Sequence, residues 1–203
     1  MGINLGNVVI GKHRITVPMS LYLISDLHFD DQWICAEHRP FDNLGNMNED
    51  LLANCGSKIK DGDTLLFLGD LVGKNGDEGD VWEWFGEVDV IDHWVPGDHD
   101  HVARSEYDTI ALPVRTPFFK EFQGHSFRFK HKPYRENEGD HWIIHGHKHN
   151  EKPDEYPFID PENRRINVSA SMIGYEPIAM ERILELVETG QRYRFAPRET
   201  EPD

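Results

Sequence analysis

The sequence predicts a mixed α/β domain in which two β-sheets pack together and helices cover them. Three observations support this class. In the first half of the chain, short apolar runs without a helical period alternate with amphipathic stretches. The second half contains alternating runs bounded by turn residues, which are typical of hairpins. The 203 residues suit one domain with a sizeable core, and no linker-like stretch divides them.

Strands and helices are predicted to alternate in the first half. The stretch 47–59 is predicted to be a helix because apolar residues recur there at helical spacing, with Asn46 or Asn48 as the expected N-cap. A shorter helix is predicted over residues 80–88. The strand candidates are short apolar runs bounded by polar or turn residues, and they cover residues 21–25, 64–68 and 91–95.

The second half is predicted to begin with a hairpin. Residues 118–131 alternate on both sides of Gly124, which indicates two antiparallel strands. Two further strands are predicted over residues 141–146 and 164–170. The last predicted element is a helix over residues 177–189, whose first residue is a proline, as is common at a first helical position.

The ends of the chain are predicted to add little to the domain. Residues 1–18 would form either an added pair of strands or a dispensable extension, and residues 191–203 a tail. The start lacks the features of a signal peptide, and no apolar run has the length of a membrane-spanning helix. Since Cys35 and Cys55 are the only cysteines, no disulfide framework is expected, and the sequence predicts a reduced, cytoplasmic protein without membrane contact.

The chain is strongly acidic, with a formal net charge of −16 from 37 acidic and 21 basic residues. A protein without a positive surplus releases few counterions from DNA or RNA, so the composition disfavours a nucleic-acid partner. The acidic residues are dispersed along the chain, which keeps a surface solvated and is also used by salt-adapted proteins. A halophilic host and an ordinary acidic cytosolic protein are both compatible with this composition.

Each predicted buried strand ends in residues that can bind a metal ion. If five strand ends converge, they bring together three aspartates and four histidines: Asp26, His28, Asp70, Asp98, His131, His147 and His149. Mixed imidazole and carboxylate ligands suit manganese, iron, zinc or nickel better than calcium or magnesium. Seven ligands are too many for one such ion. The sequence therefore predicts two divalent transition metal ions with a carboxylate between them.

The spacing of these residues has a physical basis. In the pairs Asp26 with His28 and His147 with His149, side chains two positions apart point to the same face of an extended segment. Each pair can therefore bind from one rigid piece of backbone. Glycine precedes three of the seven candidates, which allows tight turns at a crowded centre.

Five motifs, in chain order SDLHF, LGDLVG, VPGDHD, KHKP and HGHKH, together resemble the calcineurin-like metallophosphoesterase superfamily over residues 21–170. The letters RPF followed by MNEDLLAN resemble a subgroup of small single-domain members. The resemblance implies a four-layer αββα fold for the single domain, 1–203. It also implies a dinuclear site, with manganese favoured, that hydrolyses phosphomonoesters or phosphodiesters of small molecules, nucleotides among them. A hydroxide shared by the two ions would attack phosphorus.

The resemblance also assigns roles to the matching residues. The ligands of the first ion would be Asp26, His28 and His149. The ligands of the second would be Asp98, His131 and His147, with Asp70 bridging both. The catalytic residues would be His99, which would contact the phosphate and assist the leaving group, and the adjacent Asp98. Outside the motifs, Arg39 is a candidate for bidentate phosphate binding, with a structural ion pair as the alternative.

Two positions depart from the family pattern. Asp98 stands where the family usually has asparagine. The aspartate adds a negative charge, which lowers the net positive charge of the metal-loaded site by one and should weaken its attraction for a phosphate dianion. We therefore expect a reduced rate or a preference for diesters, and we expect Asp98→Asn to raise activity. Gly73 stands where the family has an acidic residue, so a potential orienting partner of His99 is missing.

Two other functions compete with the enzyme. The same fold with weakened chemistry could act as a protein-binding module, and the departures at Asp98 and Gly73 keep this alternative open. A nuclease is the other alternative, but the acidic composition and the lack of a basic, aromatic-lined stretch in the sequence disfavour it. The sequence does not indicate an oligomeric state.

Overall fold

The computed structural model contains most of the strands and helices that the sequence predicts. The structure describes residues 5–10, 13–101, 117–134 and 139–197, with side chains described from residue 19 onward. The strands are β1 Leu5–Ile10, β2 His13–Pro18, β3 Leu21–Ile24, β4 Thr64–Phe67, β5 Ile91–Trp94, β6 Phe118–Phe122, β7 His125–Phe129, β8 Trp142–His145, β9 Ile159–Asp160, β10 Arg165–Asn167 and β11 Ile178–Ala179. The helices are α1 Gln32–His38, α2 Leu44–Lys58, α3 Glu78–Glu87 and α4 Met180–Glu188.

Two sheets carry the fold, and the predicted class of two packed sheets flanked by helices is confirmed. The four-stranded sheet has the order β11-β3-β4-β5, in which β3, β4 and β5 are parallel. The five-stranded sheet has the order β6-β7-β8-β10-β9, in which β7, β8 and β10 are parallel. Since parallel strands end at the same edge, the loops that follow them lie close together.

One hydrophobic core joins the two sheets and the helices. Leu23 and Leu66 of the first sheet and Phe127 and Ile144 of the second are essentially without solvent exposure and belong to the same cluster. Residues Ser25 and Ser169 form a parallel bridge, which fixes the direction of β3 relative to the chain after β10. The carboxyl ends of β3 and β10 therefore point the same way.

Two local predictions are corrected by the structure, and one helix was missed. The predicted helix 177–189 begins only at Met180, because residues 178–179 pair with the open edge of β3 as strand β11. The N-cap of α2 is Asn43 rather than Asn46 or Asn48, since the Asn43 side chain accepts a hydrogen bond from the backbone N–H of Asn46. Helix α1 was not predicted, because only two of its seven residues are buried and its apolar pattern is too short to recognise.

The chain ends differ in how they are bound. Strands β1 and β2 form an antiparallel hairpin, so the structure takes the first of the two alternatives for residues 1–18 within the part it describes. The predicted tail 191–203 is bound at its start: Tyr193 exchanges two backbone hydrogen bonds with Ile159, and Ala196 N donates to Met172 O. The rest of this tail, residues 198–203, lies outside the described residues. Among the described helices, none has the length and apolar character that crossing a membrane requires.

Candidate metal centre

All seven predicted metal-binding residues lie in two adjacent groups at the carboxyl ends of the parallel strands. Within each group, one potential ligand atom per residue lies within 4.8 Å of the others. The first group is formed by Asp26, His28 and His149, and the second by Asp70, Asp98, His131 and His147. The two groups have the membership that the resemblance predicted, with the bridging aspartate assigned to the second.

The first group is almost fully buried. Asp26 Oδ1 lies 3.6 Å from His149 Nε2, and the rings of His28 and His149 are 4.8 Å apart between centroids. Among the described residues, His28 Nε2 has no hydrogen-bond partner. Burying a ring nitrogen without a hydrogen-bond partner costs free energy. A cation bound by the lone pair of this nitrogen would remove that cost.

The second group is more open to solvent. Asp98 Oδ1 is 3.1 Å from His131 Nε2 and 3.0 Å from His147 Nδ1. The Asp98 side chain is 35% exposed, whereas that of His131 is only 4% exposed. The second group is therefore buried at His131 and open to solvent at Asp98.

The carboxylate of Asp70 lies between the groups. Its Oδ2 is 3.2 Å from His131 Nε2 in the second group and 3.8 Å from His28 Nε2 in the first. Its Oδ1 accepts a hydrogen bond of 2.9 Å from the backbone N–H of His99. One carboxylate thus connects both groups and also anchors the loop that carries His99.

The backbone at the centre is strained. Five of the seven candidate ligands adopt a left-handed conformation with positive φ, which is uncommon for residues other than glycine. They are Asp26 at 56°, His28 at 51°, Asp70 at 59°, His147 at 71° and His149 at 42°. Such strain persists only where the surroundings enforce it, and it is concentrated at functional sites in proteins.

Glycines make the close approach of the loops possible. A Cβ added at Gly97 would collide with the carboxylate of Asp70, and one added at Gly146 would collide with Ser25 Oγ and the carboxylate of Asp26. Gly69, with φ 90°, packs against Gly97 and the ring of His131. The sequence prediction that glycines relieve crowding here agrees with these contacts.

The protonation states of two ligands in the first group are suited to metal binding. Burial by itself raises the pKa of Asp26, but His149, His131 and His28 together with the Ser25 hydroxyl lower it below its ordinary value. Burial lowers the pKa of His149 to about 4, so this ring is neutral at neutral pH. A metal ion requires ionised carboxylates and neutral imidazoles, and these two residues are already in those states.

Asp100 was not predicted as a site residue, yet it holds two of the ligand loops together. Its buried carboxylate accepts hydrogen bonds of 2.8 Å from the backbone N–H groups of Asp70, Leu71 and Gly97, and one of 3.2 Å from Trp94 Nε1. Burial and the neighbouring Asp70 raise the pKa of Asp100, and the donated hydrogen bonds offset part of that cost. The sequence signal was its position at the end of the VPGDHD motif.

Arg39, the candidate for phosphate binding, is buried against the loop after β3. Its guanidinium is buried and donates to the carbonyl oxygens of Leu27 and Asp26, at 2.6 and 2.5 Å. It also lies over the ring of Tyr175. Arg39 therefore holds the loop after β3 in place through two of its guanidinium nitrogens, whereas its buried Nε has no hydrogen-bond partner among the described residues. Among the described residues these backbone contacts stand in place of the ion pair considered from the sequence, and the phosphate contact stays a prediction.

Asp31 occupies the space that a side chain at position 73 would need. A Cβ added at Gly73 would lie 2.6 Å from Asp31 Oδ2, and this same oxygen lies 3.3 Å from His28 Nδ1. Burial by itself raises the pKa of Asp31, but its contact with His28 and the N–H of Ile34 lower it to about 2. The space beside Gly73 is therefore filled by the carboxylate of Asp31, which lies against His28.

We predict that Gly73→Ala weakens metal binding by the first group about tenfold. The added methyl group would displace Asp31 from His28, and loss of a residue that orients a metal ligand typically costs about 10- to 100-fold in affinity. Manganese affinity is measured by calorimetric titration of the metal-free protein. The matched control is Gly86→Ala in α3, where a Cβ meets nothing within 4 Å and the change should leave manganese affinity unaltered. Equal affinities in both variants would contradict the role of Asp31.

The fold and the donor set together define a mixed α/β protein with a candidate centre for divalent metal ions. The mixture of imidazole and carboxylate groups fits transition metals, without indicating which one. The chain is 35% identical over 178 residues to the uncharacterized protein MJ1445 of Methanocaldococcus jannaschii, covering 86% of this chain and 94% of that protein. It therefore belongs to the same family as MJ1445. No family model matches the chain.

Two solved structures are similar to this chain. A protein of unknown function from Aquifex aeolicus, AQ665, has a TM-score of 0.58 and 21% identity, covering 83% of this chain and 99% of that one. This likeness shows a shared fold. The phosphoesterase YfcE of E. coli is more distant, with a TM-score of 0.40 and 16% identity over 74% of this chain and 78% of its own.

Proposed function

We propose that this protein is a metal-dependent phosphoesterase that uses two divalent transition metal ions, manganese by preference, to hydrolyse small phosphomonoesters or phosphodiesters. The observation that carries the proposal is the position of the Asp70 carboxylate between two groups of imidazoles and carboxylates. Asp26, His28 and His149 would hold one ion. Asp98, His131 and His147 would hold the other. When bound, the ions would neutralise charge on the phosphate and supply an activated water.

The residues of the chain would position the substrate and the ligands. Since the first group is buried and the second is partly exposed, the phosphate would approach from the side of Asp98. Asp31, Arg39 and Asp100 would keep the three ligand loops in place, so that little reorganisation accompanies the reaction.

His99 is the proposed acid for the leaving group. Its backbone N–H is fixed by Asp70 Oδ1, and its ring packs edge-on against His28 with centroids 5.3 Å apart. Its Nε2 lies 4.0 Å from Asp98 Oδ2, at the partly exposed side of the centre. The imidazole would contact a phosphate oxygen and donate a proton to the departing oxygen, which is the usual role of histidine at neutral pH.

Hydrolysis of bis-(4-nitrophenyl) phosphate and 4-nitrophenyl phosphate tests this function. Protein stripped of metal by a chelator should be inactive, and Mn²⁺ should restore activity with about two ions bound per chain by elemental analysis. Both esters are needed, because the first reports diesterase and the second monoesterase activity. Full metal loading without hydrolysis of either ester, with Mn, Fe, Zn or Ni, would refute the proposal and favour a binding module.

We predict that Asp98→Asn raises kcat/KM for a phosphomonoester about fivefold. Asparagine keeps an oxygen toward His131 and His147 but removes a negative charge, and such a charge near a phosphate contributes on the order of 1 kcal/mol. Lys132 Nζ lies 3.4 Å from Asp98 Oδ2 and already neutralises part of it. The double variant Asp98→Asn with Lys132→Met should therefore return toward the wild-type value. An unchanged or lower value for Asp98→Asn alone would contradict this reasoning.

A further inference from the structure

Three side chains form a rim at the open side of the second group. Lys132 Nζ contacts Asp98 Oδ2 at 3.4 Å, and the ring of Tyr134 lies 6.1 Å from that of His147 between centroids. Lys148 Nζ lies 5.1 Å from the centre of the Tyr134 ring. We call these three residues, Lys132, Tyr134 and Lys148, the rim. Lys132 contacts Asp98 and Tyr134 contacts His147, both in the second group, and Lys148 contacts Tyr134.

The rim has an unusual composition for this chain. The protein carries a net charge of −16, yet one ammonium group, that of Lys132, contacts the partly exposed Asp98 and a second, that of Lys148, lies over the neighbouring ring of Tyr134. Tyr134 is 45% exposed, and its ring contacts Lys148 and His147. Positive charge beside an exposed aromatic ring is the combination that binds a phosphate joined to a planar base, because the ring stacks and the ammonium groups attract the anion.

A cavity elsewhere in the fold is less suited to the substrate. It has a volume of about 510 Å³ and lies between α1 and the loop after β4. None of the seven candidate ligands lines it, and neither does His99. Its lining includes Asp30, Asp31 and Asp80, whose carboxylates would repel a phosphate ester.

We propose that the rim of Lys132, Tyr134 and Lys148 is a subsite for a planar heteroaromatic group of the substrate, and that the substrate is a nucleotide-like phosphate ester. The ring of the substrate stacks on Tyr134, and the two lysines offset the charge of its phosphate. This inference rests on the proposed function, since it names the substrate class of the same site. The subsite also accommodates the negative charge of Asp98, because the ammonium group of Lys132 offsets it.

Binding of two analogues that cannot be hydrolysed tests the subsite. Both are methylenephosphonates, in which CH₂ replaces the ester oxygen: one of adenosine 5′-monophosphate and one of ribose 5-phosphate. They differ at C1′, which carries adenine in the first and a hydroxyl group in the second. Calorimetric titration of the Mn²⁺-loaded protein should show the base-bearing analogue binding about tenfold more tightly, as expected for one stacked base.

Variants separate the ring from the charges. Tyr134→Leu should make the two affinities equal, whereas Tyr134→Phe should keep the preference because it keeps the ring. Lys148→Met should weaken both analogues by a similar factor, since both carry the phosphonate. The matched control is Phe119→Leu, which removes another exposed ring, on β6, and should change neither affinity.

The outcomes for the subsite and for the enzyme are distinguishable. Equal affinities in the wild type, or a preference that persists in Tyr134→Leu, would overturn the subsite even if 4-nitrophenyl esters are hydrolysed. A preference that depends on Tyr134 in a protein without hydrolytic activity would support the subsite and refute the enzyme. Unfolding curves that match the wild type ensure that Tyr134→Leu reports on binding rather than on folding.

Discussion

Asp70→Asn should abolish hydrolysis, reducing kcat/KM by more than about 100-fold, because even residues that only orient a metal ligand typically contribute 10- to 100-fold. Asparagine is the most selective substitution at this position, because it changes only one of the two carboxylate oxygens. It can keep the oxygen that accepts from His99 N, and it replaces the other oxygen, which faces both His28 and His131, by an amide group. The change therefore removes the charge and the shared donor atom while the loop keeps its hydrogen bond.

The same variant should bind less metal, with elemental analysis finding fewer than the two ions of the wild type. The matched control is Asp89→Asn, an exposed aspartate between α3 and β5, which should retain full activity and metal content. Hydrolysis by Asp70→Asn within a few-fold of the wild-type rate would show that the two groups do not work as one centre.

The sequence predicted the buried strands and the seven residues that converge because both signals are local. A short apolar run followed by Asp-x-His or His-x-His is visible in a few consecutive letters. The pairing of an edge strand is not local, and for this reason strand β11 was predicted as part of a helix. The letters of residues 178–179 do not indicate that β3 has an unpaired edge with which they can pair. Membership of the two groups came from the resemblance, since spacing alone does not say which strand end meets which.

The supporting residues were harder to predict, because their partners are backbone groups far away in the chain. Arg39 looked suited to a phosphate, but its donors bind carbonyl oxygens of the loop after β3. Gly73 lacks the acidic side chain that the resemblance led us to expect there, but Asp31 fills the space and contacts His28. In the same way, Lys132 and Lys148 are separate letters in the sequence and become one rim with Tyr134 only in the fold.

Asp100→Asn should lower the free energy of unfolding by about 3 kcal/mol, which is the upper part of the range for leaving a buried polar group unsatisfied. Both carboxylate oxygens accept backbone N–H groups, so an amide NH₂ in either orientation must face a donor. Urea unfolding measures the loss. Because Asp100 ties the loop of Asp70 to the turn that carries Asp98, the variant should also bind manganese more weakly at temperatures where it is folded.

Asp92→Asn is the control for this substitution. Asp92 is exposed on β5 and accepts one hydrogen bond, from Leu65 N at 2.8 Å, which an asparagine oxygen can also accept. Its unfolding free energy should stay within about 0.5 kcal/mol of the wild type. If Asp100→Asn were equally mild, the loops of the centre would be held by the strained backbone and the metal ions themselves. In that case, stripping the metal should destabilise the wild type far more than the substitution does.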